Sequence, residues 1–410
     1  MNKVISADFS LRCHCFAVIL PSDNSNIFDY VVHVIQSLAK AGEEYGLSLR
    51  VISTDKIENS SKLFHDFNNV SVDCWPDFDD ILQRHPFARD TIFFPQHDNC
   101  PIIVNVKAQD SLDLEVTIPN PPIVVKRMVP GGQLLKLQRS PDVNFYIIGG
   151  DVKPPNAETT LKTLNEPTKN MLFLPQNPTE IDALNYTRLL DGNQTDMMRD
   201  FNELYYHLDM FVLMLTNGHV VINDMAMVLE IIKTYSDQKN SLYDISYYRE
   251  FEGRKNNRLN LNSFLNFVGE VYGRLDDEIK HILTSQGVQV HCAPLMLPLP
   301  DGKFAMTLAN SVPSSWNGQP ILYTQKPENM LEELLYERSK EVMLKSMPTL
   351  TLVPVDHVHH VLQTSSAGLH CLLTPIRTAQ SEVSAQQPQL TPQSSKITAP
   401  DIKPACCNLL

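Results

Sequence analysis

Three short stretches carry side chains that could do chemistry: "HPFARDTIFFP" at 85–95, "HLDMFVLML" at 207–215 and "AGLHCLLTPI" at 367–376. In the last, Cys371 follows His370 in a turn of small residues, at the point where the folded composition gives out. A thiolate is a strong nucleophile. If Cys371 acts as one, its acid–base group and charged partners must come from far upstream. His207 and Asp209 are two residues apart and share a face if their segment is extended. They head an apolar run, "MFVLML", that reads as buried on both faces, so they need partners or carry a desolvation cost. Arg89 and Asp90 stand just before the apolar "TIFF". Each stretch alone also has a structural reading: a solvated turn for Arg89-Asp90, plain core packing for Cys371.

The elements that must position these residues alternate between helical and β-rich patterns. "SDNSNIFDYVVHVIQSLAKAGEEYG" offers an N-cap, an apolar stripe and a glycine stop, and "LSLRVIST" follows as a strand. A long helical pattern over "LNLNSFLNFVGEVYGRLDDEIKHILTSQG" precedes the strand "VQVHCAPLML", and "KPENMLEELLYERSKEVMLKSM" precedes "PTLTLVPV". "HLDMFVLML" and "GHVVIN" read as neighbouring strands, with His207 and Asp209 on one face of the first. The result is an α/β body of recurring strand–helix–strand units, a pattern that a doubly wound sheet fits equally well.

Hydrophobic residues make up 43% of the 410 positions and charged residues 20%, enough for a sizeable core. The net charge of −13 argues against a general nucleic-acid binder, which needs a basic face. No run of 18 apolar residues is present, so no transmembrane helix is expected, and "FAVIL" is too short for a signal core. The eight cysteines lack framework spacing, which points to reduced thiols in a cytoplasmic setting.

Taken together and in chain order, the stretches resemble the guanidine-modifying superfamily, the pentein-fold enzymes that include arginine and agmatine deiminases. "FARDTIFF" resembles the first-aspartate motif, "HLDMFVLML" the central His-x-Asp motif and "GLHCLLTPI" the C-terminal nucleophile motif. "IIGGDVKP" at 147–154 is similar to a Glu-Gly-Gly-Asp segment, with Ile148 where the free-arginine enzymes carry glutamate. The resemblance implies an α/β, five-bladed ββαβ pseudo-symmetric propeller over residues 1–376, working without a cofactor or metal.

It also implies roles. Asp90 and Asp209 hold a planar guanidinium, a fork of donors suited to carboxylates. Cys371 attacks its central carbon, and His207 protonates the leaving amine or ammonia and then activates water. Arg89 and Asp151 join the substrate-binding set, with Asp151 or Glu158 in place of the missing glutamate, or with its role absent as in the protein-arginine branch. His370 is expected to support the site rather than move the proton. The partner implied is a guanidino compound: arginine, agmatine, a methylated arginine or a protein arginine. Deimination is the first expectation. Amidino transfer through the same adduct and a silent arginine-binding homologue are the alternatives.

Other constellations are weaker. His357, His359 and His360, with the Cys/His pairs at 13–15, 291–292 and 370–371, lack the Cys-x-x-Cys spacing of structural zinc. "VPGGQ" and "IIGGD" make no phosphate loop, and no Gly-x-Ser-x-Gly elbow is present. Residues 377–410 contain no aromatic side chain and are rich in Gln, Ser and Pro, so a disordered tail is expected there. It ends Cys407-Asn408-Leu409-Leu410, similar to a prenylation box, with Cys406 as a second acylation point. Peripheral membrane attachment is the corresponding expectation, although one lipid gives marginal binding and no polybasic run supplies a second signal.

Overall fold

The computed structural model describes residues 15–23, 25–53, 57–74, 87–93, 102–106, 114–117, 124–126, 131–140, 143–150, 152–163, 167–176, 205, 207–215, 219–237, 241–252, 261–299 and 303–376. Asp151, the expected tail at 377–410 and its Cys407 lie outside them. No described helix is long and apolar enough to cross a membrane.

The chain is α/β, built from small mixed sheets rather than one doubly wound sheet. Strands β1 (Cys15–Ile19), β2 (Ser48–Ser53) and β3 (Val70–Cys74) are parallel neighbours. Next come four antiparallel strands in sequence order: β4 (Ile92–Phe93), β5 (Ile102–Val106), β6 (Leu114–Thr117) and β7 (Val124–Lys126). Strand β8 (Leu134–Ser140) pairs antiparallel with β9 (Val143–Gly149), which pairs parallel with β10 (Met171–Leu174) after the helix Pro154–Thr163. Strand β11 (Val212–Met214) pairs antiparallel with β12 (His219–Asn223), which pairs parallel with β13 (Gln289–Ala293) after three helices. A hairpin of β14 (Met296–Pro298) and β15 (Phe304–Thr307) follows. Strand β16 (Val312–Trp316) then pairs antiparallel with β17 (Gln319–Gln325), which pairs parallel with β18 (Thr351–Val355) after the helix Met330–Ser346. Finally β19 (Leu373–Pro375) returns to pair antiparallel with β1.

Among the described residues, one ββαβ plan therefore occurs four times: β8–β10, β11–β13, β16–β18 and β19–β1–β2. A parallel pair requires a crossover long enough for a helix, and the helical patterns of the sequence fall at these crossovers. Strands β4, β5, β6 and β7 form a fifth, all-antiparallel sheet.

Local signals explain where elements stop. Helix Phe28–Tyr45 buries Val31, Ile35, Leu38 and Ala39 at helical spacing and ends at Gly46, whose φ of 65° is left-handed. A side chain at Gly46 would also collide with the Trp316 ring. The expected side-chain cap at the start of this helix is absent: Ile27 occupies the cap, and Ser25 Oγ accepts the Ile27 N–H at 3.4 Å. Helix Met330–Ser346 is capped by Asn329, which accepts the N–H groups of Leu331 and Glu332, both at 3.1 Å. "VQVHCAPLML" breaks into β13 and β14 around Pro294, which has no N–H for a ladder.

The segment around His207 and Asp209 differs from expectation. Leu208–Met210 is a 3-10 turn, and the strand begins only at Val212. His207 and Asp209 come together because the chain turns, not because alternate residues share a strand face.

This turn has counterparts. A short helix or turn immediately precedes the first strand of each of five sheets: Ala88–Thr91 before β4, Gly131–Gln133 before β8, Leu208–Met210 before β11, residues 308–310 before β16, and Leu369–Leu372 before β19. Leu369–Leu372 packs on Ala88–Thr91, which packs on Gly131–Gln133, which packs on Leu208–Met210. Asn310 closes the circuit with hydrogen bonds to Asp209 and Cys371.

Candidate functional site

The circuit of turns delivers the candidate site residues to one buried point. Asp209 is 1% exposed, Cys371 2% and His370 3%. A carboxylate is rarely this buried unless paired, and Asp209 pairs with His370. His370 Nδ1 lies 2.8 Å from Asp209 Oδ2. A carboxylate accepts, so Nδ1 carries the proton and donates. Asp209 Oδ1 is buried without a hydrogen-bond partner among the described residues. Cys371 Sγ lies 3.8 Å from Asp209 Oδ2. One atom each from His207, Asp209 and Cys371 fall within 4.8 Å of one another. Asn310 is the link between the two chain segments: its Oδ1 accepts the Cys371 N–H at 3.1 Å, and its Nδ2 lies 3.2 Å from Cys371 Sγ and 3.3 Å from the Asp209 carbonyl.

Glycines make this density possible. A Cβ at Gly132 would stand 2.7 Å from His207 Nδ1 and 3.0 Å from Asp209 Oδ1. A Cβ at Gly368 would stand 2.6 Å from Asn310 Oδ1.

No protein-family model and no curated protein matches the chain. Solved structures similar to it include agmatine deiminases. One, the agmatine deiminase of C. jejuni, is 12% identical, with 91% of this chain and 96% of that chain covered and a TM-score of 0.48. Another, the agmatine deiminase of Enterococcus faecalis, is 11% identical over 91% of this chain and 95% of that chain, with a TM-score of 0.44. Similarity at this level gives no residue of this chain a role.

Of the expected site residues, His207, Asp209 and Cys371 are brought together. Asp90 lies on the short helix Ala88–Thr91, which packs against the Cys371 turn, and its side chain lies outside the description. Arg89 on the same helix is buried. Ile148 is fully buried in β9. Its neighbour Gly149 packs against Gln133 and Gln176, and Gln176 Nε2 donates to Gln133 Oε1 at 2.9 Å. Glu158 does not replace the missing glutamate: it faces solvent, 3.6 Å from Lys162.

Three contributors escaped the sequence reading. Asn310 lies in "TLANSVP", which has no motif. Gly132 belongs to the "VPGGQ" pair, where closeness to a side chain rather than to a phosphate explains the glycine. Gln133 adjoins it. His357 and His360 pack instead on helix Phe28–Tyr45, with His357 4.9 Å from His33 between ring centroids and His360 stacked on Tyr30 at 4.7 Å, while His359 Nδ1 lies 3.0 Å from Glu328 Oε1. Cys15, Cys74, Cys292 and Cys371 are free thiols. The nitrogen, oxygen and sulfur of the His207–Asp209–Cys371 group are also donors that a borderline-soft cation such as zinc accepts.

Proposed function

We propose that this chain is a cysteine-dependent hydrolase of a guanidino group, of the deiminase type. The observation that carries the reading is the meeting of His207, Asp209 and Cys371 within 4.8 Å, from motifs up to 164 positions apart in the chain. The resemblance of the three motifs to the guanidine-modifying enzymes supplies the chemistry, and four ββαβ units with a fifth sheet support a pentein-type, five-bladed propeller over residues 1–376. Residues 377–410 would then be a tail outside the catalytic body.

In this reading Asp209 divides its work. Oδ2 accepts from His370, and Oδ1 is left to accept a guanidinium N–H beside Gly132. Asp90 supplies the second carboxylate, and Arg89 and Asp151 complete the substrate-binding set. The Cys371 thiolate forms a C–S bond with the guanidinium carbon. The C–N bond to ammonia then breaks, with His207 giving the leaving nitrogen its proton and a thiouronium remaining on the enzyme. His207 next takes a proton from water, whose oxygen adds to the same carbon. The C–S bond breaks, returning the thiol and releasing a ureido product. If the substituted nitrogen leaves in place of ammonia, the bare amidino group stays on Cys371, and an amine that attacks it in place of water gives amidino transfer instead.

The test is an ammonia and ureido-product assay on the full chain with arginine, agmatine, dimethylarginine and an arginine peptide. Product with one of them, lost in Cys371→Ala, is expected. A folded wild-type protein that releases no product from any of them contradicts the hydrolase. Activity abolished by a chelator and restored by zinc would favour the metal use of the same three residues.

A further inference from the structure

We propose that Asn310 is a positioning residue for Cys371, holding its amide N–H on the sulfur so that the thiolate is favoured. This deepens, and rests on, the reading of Cys371 as the nucleophile. The orientation of the amide follows from two partners that allow no choice. The Cys371 backbone N–H, 3.1 Å away, can only donate, so the atom facing it is Oδ1. The Asp209 carbonyl, 3.3 Å away, can only accept, so the atom facing it is Nδ2. Both assignments agree, and Nδ2, which also lies 3.3 Å from Met210 Sδ, is then the donor 3.2 Å from Cys371 Sγ.

The setting keeps the amide in place. Asn310 is 1% exposed, and its own carbonyl accepts the His370 N–H at 3.1 Å. Gly368 leaves the room its side chain needs: a Cβ there would stand 2.9 Å from both Cβ and Cγ of Asn310. Asp209 Oδ2, at 3.8 Å, disfavours negative charge on the sulfur. A neutral donor at the sulfur opposes that effect without adding a cation that would repel a guanidinium. Asn310 thus touches the nucleophile and ties it to the His-x-Asp turn.

The test needs no substrate. The rate of iodoacetamide alkylation of Cys371 is followed against pH by mass spectrometry of its peptide, in wild type, Asn310→Asp and Asn310→Ser. Asn310→Asp keeps an acceptor for the Cys371 N–H and removes the donor to sulfur. Asn310→Ser removes the amide without adding charge. The expected result is alkylation at least about tenfold slower at neutral pH in both, with the rate curve moved about one unit to higher pH, as loss of one hydrogen bond of roughly 1.4 kcal/mol to a charged group gives. Should one variant fail to fold by circular dichroism, the other reads the same quantity. A folded variant with the wild-type curve overturns the proposal. Because alkylation is independent of turnover, a wild type without deiminase activity but with this Asn310 dependence removes the functional reading alone.

Discussion

Cys371 Sγ and Asp209 Oδ2 lie 3.8 Å apart although 162 residues separate them. Their contact depends on two turns that precede strands of different sheets, β11 and β19. Asp209 also holds His370, so its charge serves a neighbour within the protein as well as the proposed substrate. Asp209→Asn keeps the shape and removes the charge. Losing one member of a buried, hydrogen-bonded charge pair costs roughly 2–5 kcal/mol, so kcat/KM in the product assay is expected to fall by at least about thirtyfold.

Gly132→Ala tests the packing of the site directly. The added methyl would stand 2.7 Å from His207 Nδ1 and must displace it. A misplacement of about 1 Å can cost on the order of a hundredfold in rate, and that loss is expected here with the chain still folded. Gly273→Ala is the matched control, since a Cβ there meets nothing within 4 Å. In the helix Leu261–Ser285 it is expected to leave activity unchanged and raise stability by roughly 0.5–1 kcal/mol, measured by denaturant unfolding.

The sequence displayed the candidate residues better than the geometry that joins them. His207 and Asp209 stood out because their residue types are costly to bury without partners, whereas Cys371, of a type that packs readily in cores, stood out only beside the other motifs. The alternation of helical and β patterns was legible, but it fits a doubly wound sheet equally well, and the ββαβ plan came only with the resemblance. The 3-10 turn at Leu208–Met210 was not, because an apolar run reads as strand to its first residue, and a turn held by tertiary contacts leaves no periodicity. Asn310 was invisible for a related reason: its partners lie 61 and 101 positions away, and a single asparagine in a loop has many local explanations. Nor does any local pattern report that five turns before five strands meet.

Acid stability should depend on His359. Burial first, then the neighbouring His360 and His357, lowers its pKa from 6.5 to about 4, and these outweigh the opposing pull of Glu328, whose Oε1 lies 3.0 Å from its Nδ1. The unfolded chain therefore binds this proton at higher pH than the folded one. The associated stability is present above about pH 6.5 and lost as pH falls toward 4, with an upper bound of about 3 kcal/mol. In denaturant titrations across this window, His359→Gln is expected to lose less stability on acidification than wild type. Parallel curves would show that His359 does not contribute.

Glu332 works in the opposite direction. Burial raises its pKa from 4.5 to about 7 while it accepts from the Glu328 N–H at 2.8 Å and the Asn329 amide at 2.8 Å. A carboxyl that keeps its proton longer in the folded state stabilises most below about pH 4.5, and that contribution is lost as pH rises through 7. Glu332→Gln, which cannot ionise, should remove this decline between pH 4.5 and 7. A wild-type slope retained in the variant would assign the decline to other groups.

The central claim is a covalent bond between Cys371 and a guanidino carbon. Mass spectrometry of the protein, quenched in acid while it turns over arginine, agmatine, dimethylarginine or an arginine peptide, tests it most directly. The peptide bearing Cys371 should gain the mass of one substrate less the expelled ammonia or, for dimethylarginine, less the expelled amine, and the gain should be absent from Cys371→Ala. Product formation by Cys371→Ala, or turnover by wild type with the trapped adduct on another residue, would contradict it.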